Sequence, residues 1–335
     1  MFNGLKDSVV VVTGASSGIG RATALLLAKK GAYVVAAARR RQALQSLVQE
    51  CEELGTPALA VPTDVTDEEA VQFLADQALE RFGHIDAWIN NAGVSLFARF
   101  EEAPSDAFRQ VLETNLFGYI HGARSAIRCF RQQGYGTLIN VSSMLARGGS
   151  PYVSAYVTSK YGVNGLSLSL RQELQDTDIN VCVVMPASID TPLFQQAANY
   201  TGRAVKPMEP IYNPEKVSKA IVKLMRRPTD LVYVGHAGRM MGTLNKISSK
   251  TYEKVMARQV ERDHFEDLPA PDRDGNLFEP QDRWARVDGG WNGTTNGAAK
   301  VVAAGLMLTL PAAAWMWWSS RSSKTGRTLL RLLPG

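Results

Sequence analysis

Residues 8–20 read SVVVVTGASSGIG, and this stretch decides the fold. Ser8–Thr13 is a short β-branched run of the kind buried on both faces of a parallel sheet. Thr13-Gly14-Ala15-Ser16-Ser17-Gly18-Ile19-Gly20 follows as a glycine-rich turn, and Ile19–Lys30 carries helical periodicity, so the unit reads strand, turn, helix. The three glycines allow a tight turn and close backbone approach, so that a pyrophosphate can sit against unpaired N–H groups at the positive end of the helix. Their spacing is GxxxGxG rather than the commoner GxGxxG.

The same alternation continues outward from this unit. Apolar runs at Tyr33–Ala38, Ala58–Val61, Ile85–Asn90, Thr137–Val141, Val181–Met185 and Leu231–Val234 are separated by segments of helical periodicity, which makes seven candidate strands. Strands alternating with helices imply right-handed crossovers and an α/β, doubly wound, Rossmann-type parallel sheet with helices on both faces. Ligands then belong at the carboxyl ends of the strands. Residues 187–214 interrupt the rhythm with Pro192, Pro207, Pro210 and Pro214 among apolar residues such as Leu193, Phe194, Met208 and Ile211, and read as a substrate lid. The α/β domain spans 1–243. A basic amphipathic helix is expected over 244–265, and 266–299, rich in Pro, Asp and Gly, reads as an extended linker.

The last segment has a different solvent. Val301–Trp318 is 18 residues without a charge, and with its flanks (300–320) it is predicted to form a helix of about 30 Å, long enough to cross a bilayer. Trp315, Trp317 and Trp318 gather at one end, and the basic tail 321–335 follows. Those cations favour the cytoplasmic side, which conflicts with a catalytic domain that needs cytoplasmic nucleotide and has no apolar run behind a basic start at Met1–Ser8. A tail crossing against the rule and a segment lying in the interface both resolve the conflict, and the sequence admits either. The expectation is a membrane-associated protein with its catalytic domain in the cytoplasm.

Composition sets the exclusions. Of 335 residues, 45% are hydrophobic and 21% charged, which rules out disorder and collagen for the bulk of the chain. Cys51, Cys129 and Cys182 lie far apart with no CxxC pair, so neither a disulfide framework nor a metal site is expected. The net charge of +5 resides entirely after Asp288, in Lys300, Arg321, Lys324, Arg327 and Arg331, so no basic field for nucleic acid remains in the body of the chain.

Further along, Asn90-Asn91-Ala92-Gly93 ends the fourth strand, and Tyr156 and Lys160 stand four apart, on one face of a helix. With the glycine turn, these motifs resemble, in order, those of the short-chain dehydrogenase/reductase family over residues 6–240. The resemblance places Asn115, Ser143, Tyr156 and Lys160 at the family's catalytic tetrad, with Ser143 thirteen residues before Tyr156. It implies a reversible carbonyl/alcohol interconversion with a nicotinamide nucleotide, and a homodimer or homotetramer. Tyr156 is then the general acid, Ser143 orients and polarises the carbonyl, Asn115 positions a water, and Lys160 holds the nicotinamide ribose while its charge lowers the Tyr156 pKa. By the same resemblance Asn91, Ala92, Gly93 and Pro186 line the nucleotide, Asp64-Val65 brackets the adenine, and Thr191 contacts the carboxamide. Where the family has Pro-Gly, this chain has Pro186-Ala187, which puts the lid hinge in question.

Cofactor choice is read at the end of the second strand, Ala36-Ala37-Ala38-Arg39-Arg40-Arg41. An acid that would bond a ribose 2′-OH is absent and Arg39 stands one residue past its place, so NADP(H) is expected. Anchor and lid together suggest an apolar or lipid-like substrate. The alternatives are a NAD-dependent polyol or alcohol dehydrogenase, and a non-catalytic NADP(H)-sensing membrane protein on the same fold.

Overall fold

The computed structural model describes residues 5–292. The predicted membrane helix, the basic tail and the end of the linker lie outside the described residues. Among the described residues, no helix is long and apolar enough to cross a membrane.

The first half alternates strictly: β1 (Val9–Thr13), α1 (Gly18–Ala28), β2 (Tyr33–Ala38), α2 (Arg41–Glu53), β3 (Ala58–Pro62), α3 (Glu68–Phe82) and β4 (Ala87–Asn90). Next come β5 (Leu96–Phe97), α4 (Ser105–Leu112), a π turn at Glu113–Phe117, α5 (Gly118–Gln133), β6 (Tyr135–Val141), α6 (Ser154–Glu173) and β7 (Asp178–Pro186). The chain continues through α7 (Leu193–Gln196), β8 (Ala198–Asn199), β9 (Arg203–Val205), α8 (Pro214–Arg226), β10 (Leu231–Val234), α9 (His236–Ile247), α10 (Ser249–Asp263) and β11 (Phe265–Pro269).

Seven of these strands, the seven read from the sequence, form one parallel sheet in the order β3-β2-β1-β4-β6-β7-β10. β1 shows why the sequence folds this way. Val10 and Val12 pack with Leu27 and Ile221 on one face, and Val9 and Val11 with Leu74 and Phe130 on the other, so every residue of the strand is buried. An apolar run without alternation has no other stable place. The strand order reverses between β1 and β4, opening a crevice at their carboxyl ends. Thr13 ties that crevice together: its hydroxyl accepts from the Asn91 and Ala92 amides at 3.0 and 3.2 Å and donates to the Ile89 carbonyl.

Two expectations about the periphery are corrected. The helix expected over 244–265 is two helices, because Ser248 adopts an extended conformation that stops α9 and caps α10, its Oγ accepting from the Thr251 amide. Within 187–214, read as a lid, β8 pairs with β5, and β9 pairs antiparallel with β11. The expected linker is, up to Asn292, packed against the domain. Leu277 is fully buried with Val94, Val111 and Ala155, and backbone groups at 276–278, 281, 286, 289, 291 and 292 are hydrogen-bonded to the crevice rim. Residues 270–292 are therefore a strap.

Candidate active site

The β1–α1 turn fits a dinucleotide's phosphates by what it lacks. Gly14 has φ +67°, and a Cβ there would lie 2.7 Å from the Ala92 Cα; a Cβ on Gly20 would lie 2.3 Å from the Gly14 carbonyl oxygen. Gly14 thus permits the turn, and Gly20 lets α1 dock directly behind it. Asn91 closes the arrangement, its side chain donating to the Thr13 carbonyl at 3.0 Å. The turn opens on one continuous cavity of ≈ 350 Å³ that also takes in Asp64, Val65, Ser143, Tyr156, Lys160 and Thr191. Ser16, Ser17, Gly18, Ile19, Ala92, Gly93 and Pro186 line it as well; Thr13, Gly20 and Asn115 stand behind its wall as supports.

The candidate cluster is assembled from the turn after β6 and from α6. Ser143 caps the turn after β6, its Oγ accepting from the Leu145 amide at 3.2 Å, whereas neighbouring Ser142 donates to the Lys160 carbonyl. Of the two serines, Ser143 is the one set beside the Tyr156 phenol. Tyr156 and Lys160 occupy successive turns of α6. The Lys160 ammonium donates to the Val141 carbonyl at 3.0 Å and the Tyr119 hydroxyl at 3.1 Å, and sits 5.6 Å from the centre of the Tyr156 ring.

The electrostatics differ from the expectation that Lys160 pulls the Tyr156 pKa down. Burial raises Tyr156 above its ordinary value, with the Ser143 hydroxyl pulling the other way. Burial also pushes Lys160 down to about 7. A lysine only partly protonated at neutral pH exerts little pull on the phenol, so desolvation wins for both groups.

Asn115 lies in the π turn between α4 and α5, a local widening often found at functional positions. Its side chain is spent within the protein: Oδ1 accepts from the Val94 amide at 2.8 Å, and Nδ2 donates to the Val94 carbonyl at 2.9 Å and to the Ser159 hydroxyl at 3.3 Å. The Pro186-Ala187 departure is accommodated by Gly235, where a Cβ would come 2.8 Å from that of Ala187.

Arg39, expected to read the nucleotide, and its neighbour Arg40 are placed differently. Arg39 donates to the carbonyls of Asn276, Leu277 and Phe278 in the strap. Arg40, almost fully buried, turns inward and donates to the hydroxyls of Ser16 and Ser17 at 2.9 Å each and to the Gln281 carbonyl. The strap also bonds the Gly18 amide through the Arg286 carbonyl, and buried Asp190, beside Thr191, accepts from the amides of Gly289, Trp291 and Asn292. Sequence reasoning missed Arg40, Asp190 and the strap. Nothing in Arg39-Arg40-Arg41 ranks one arginine over another, although the two serines of the turn were a visible partner for one of them. Among the described residues there is no group of His, Cys, Asp and Glu fit to hold a metal.

Residues 8–201 match the family model for short chain dehydrogenase. The chain is 34% identical over 274 residues to an uncharacterized oxidoreductase, YxnA, of Bacillus subtilis, covering 81% of this chain and 77% of that one. Among solved structures it is similar to a short chain dehydrogenase/reductase from Burkholderia phymatum in complex with NAD, with TM-score 0.69 and 25% identity over 76% of this chain and 97% of that one. It is also similar to an alcohol dehydrogenase from the archaeon Thermococcus sibiricus complexed with 5-hydroxy-NADP, with TM-score 0.61 and 26% identity over 68% and 96%.

Proposed function

This chain belongs to the short-chain dehydrogenase/reductase family and is an NAD(P)-dependent oxidoreductase of alcohols and carbonyls, and from that premise we propose that it uses NADP(H) on an apolar, lipid-like substrate, with Tyr156 as the general acid and base. The observation that carries the reading is that Ser143, Tyr156 and Lys160 line the same cavity as the glycine turn. The nucleotide, when bound, supplies or accepts the hydride. Everything else falls to the protein's side chains. Tyr156 donates its phenolic proton to the carbonyl oxygen as negative charge builds there, and a phenol kept neutral by burial is ready to do so. Ser143 orients that oxygen from the cap of its turn. Lys160, anchored by Val141 and Tyr119, would hold the nicotinamide ribose and, with its pKa lowered to about 7 by burial, would pass its ammonium proton toward Tyr156 and regain one from solvent.

For the nucleotide, the absence of an acid at Ala38 and the group formed by Arg40, Ser16 and Ser17 support a 2′-phosphate. Arg40, rather than Arg39, is then the main reader. The test compares KM for NADPH and NADH in Arg40→Ala and Arg39→Ala. Arg40→Ala should raise the KM for NADPH at least about tenfold and leave NADH little changed. An NADH preference in the wild type would return the NAD-dependent dehydrogenase.

The membrane anchor at 300–320, with the catalytic domain in the cytoplasm, is proposed on the sequence alone. Flotation of the full chain with lipid vesicles, lost on truncation after Asn292, is the expected result, and equal flotation of both would remove the anchor.

A further inference from the structure

Part of the cavity is walled by Phe97, Val153, Phe194, Met208 and Met256, and the Tyr156 ring packs against the same apolar cluster. A buried polar side chain interrupts this wall, while Gln196, Glu209, Tyr252 and Gln259 also line the cavity. His264, at the end of α10, is 4% exposed and enclosed by the rings of Phe97, Phe194 and Phe265, with centroids 5.1, 5.7 and 6.2 Å away. Its Nδ1 is bonded to the Lys206 carbonyl. A carbonyl only accepts, so Nδ1 carries the hydrogen, and Nε2 of the neutral ring is an acceptor. Burial lowers the His264 pKa and keeps that neutral form. Nε2 has no hydrogen-bond partner among the described residues and opens on the cavity. The nearby Tyr252 hydroxyl, by contrast, is already committed to the Gly149 carbonyl at 2.8 Å.

We infer that His264 is a specificity-determining residue, and that its Nε2 accepts a hydrogen bond from a second oxygen, a hydroxyl, of an otherwise apolar substrate. A substrate that covers this acceptor and leaves it unmatched loses the water it had, so a substrate that supplies a donor there is preferred over one that ends in a methyl group. The substrate class is therefore a hydroxyketone or diol whose two oxygens are separated by an apolar framework. This rests on the reading of the cavity as a carbonyl/alcohol site.

The experiment uses alkan-2-ones of eight, ten and twelve carbons and their ω-hydroxy counterparts. Each is titrated calorimetrically into the full chain, alone and with oxidised NADP, which cannot reduce the ketone, with absorbance at 340 nm followed to exclude oxidation of the hydroxyl, and each is then assayed as a substrate with NADPH. At one chain length the hydroxyketone should bind about tenfold more tightly than its parent, with a matching difference in KM. His264→Asn keeps a donor in the Nδ1 position for Lys206 but has nothing at Nε2, and should abolish the preference. His264→Gln places an amide oxygen near the Nε2 position and should restore part of it. No preference at any length in the wild type, or a preference that survives in His264→Asn, overturns the inference. The wild-type series decides the matter even if a variant fails to fold. A binding preference without NADPH-dependent turnover would refute the oxidoreductase reading of the cavity and leave the His264 assignment standing, whereas turnover without preference would do the reverse.

Discussion

Asp190→Ala should release the strap without unfolding the domain. The Asp190 carboxylate is 3% exposed and accepts three backbone hydrogen bonds, from Gly289 at 2.9 Å, Trp291 at 3.0 Å and Asn292 at 3.1 Å. Hydrogen bonds to a charged group contribute about 1.5–3 kcal/mol each, but three sharing one carboxylate do not add fully, so the strap's end should lose about 3–5 kcal/mol of local stability. At 1.4 kcal/mol per tenfold, its opening becomes roughly a hundred to several thousand times more frequent. Amide hydrogen exchange at Gly289, Trp291 and Asn292 reports this directly, with amides of β1 and β2 as the internal reference. Asp190→Asn keeps an acceptor oxygen but not the charge, and should fall between. Unchanged exchange at the three amides in Asp190→Ala would refute the account of the strap as held by this carboxylate.

Two further outcomes follow from the glycine turn and from Lys160. Gly14→Ala forces a side chain to φ +67° and a Cβ to 2.7 Å from the Ala92 Cα, so it should weaken nucleotide binding more than about tenfold and destabilise the fold by about 2–3 kcal/mol; a normal melting temperature with normal nucleotide affinity would contradict it. Lys160 has a folded pKa of about 7, below the 10.5 of an exposed lysine, so between those values the unfolded chain binds the extra proton. Its contribution to stability therefore rises from about pH 7 to 10.5. Lys160→Met should be more stable than the wild type at pH 6 by up to a few kcal/mol, with the difference vanishing toward pH 10; a difference independent of pH in denaturant unfolding would refute the depressed pKa.

How much of this was legible in the sequence depends on what kind of contact carries each feature. The sheet was legible because Val9–Val12 and the runs like it are apolar at every position, a pattern that only a strand covered on both faces accommodates. The pairing of Tyr156 with Lys160 was legible from spacing, which a helix converts into a shared face, whereas Ser143, in the turn after β6, was placed only by the family resemblance. The strap was not. It is held by main-chain carbonyls of 276–278 and main-chain amides of 289–292, and main-chain groups leave no trace in composition, so a Pro-, Asp- and Gly-rich segment read as linker. The single helix expected over 244–265 failed at Ser248 for a related reason: Ser is compatible with a helix interior and with a cap, and the chain chose the cap. The inward turn of Arg40 and the outward turn of Arg39 follow the alternation at a strand's end, and no residue type marks it.

The central claim is that Tyr156 moves the proton in a nucleotide-dependent carbonyl reduction. The most direct test is NADPH and NADH consumption over a graded series of ketones, wild type beside Tyr156→Phe, with NADPH binding measured in both. NADPH turnover that rises with the apolar length of the ketone and falls at least about a thousandfold in Tyr156→Phe, with NADPH affinity retained, is the predicted result. Turnover that survives in Tyr156→Phe, or tight NADPH binding by the wild type with no ketone reduced, would contradict it.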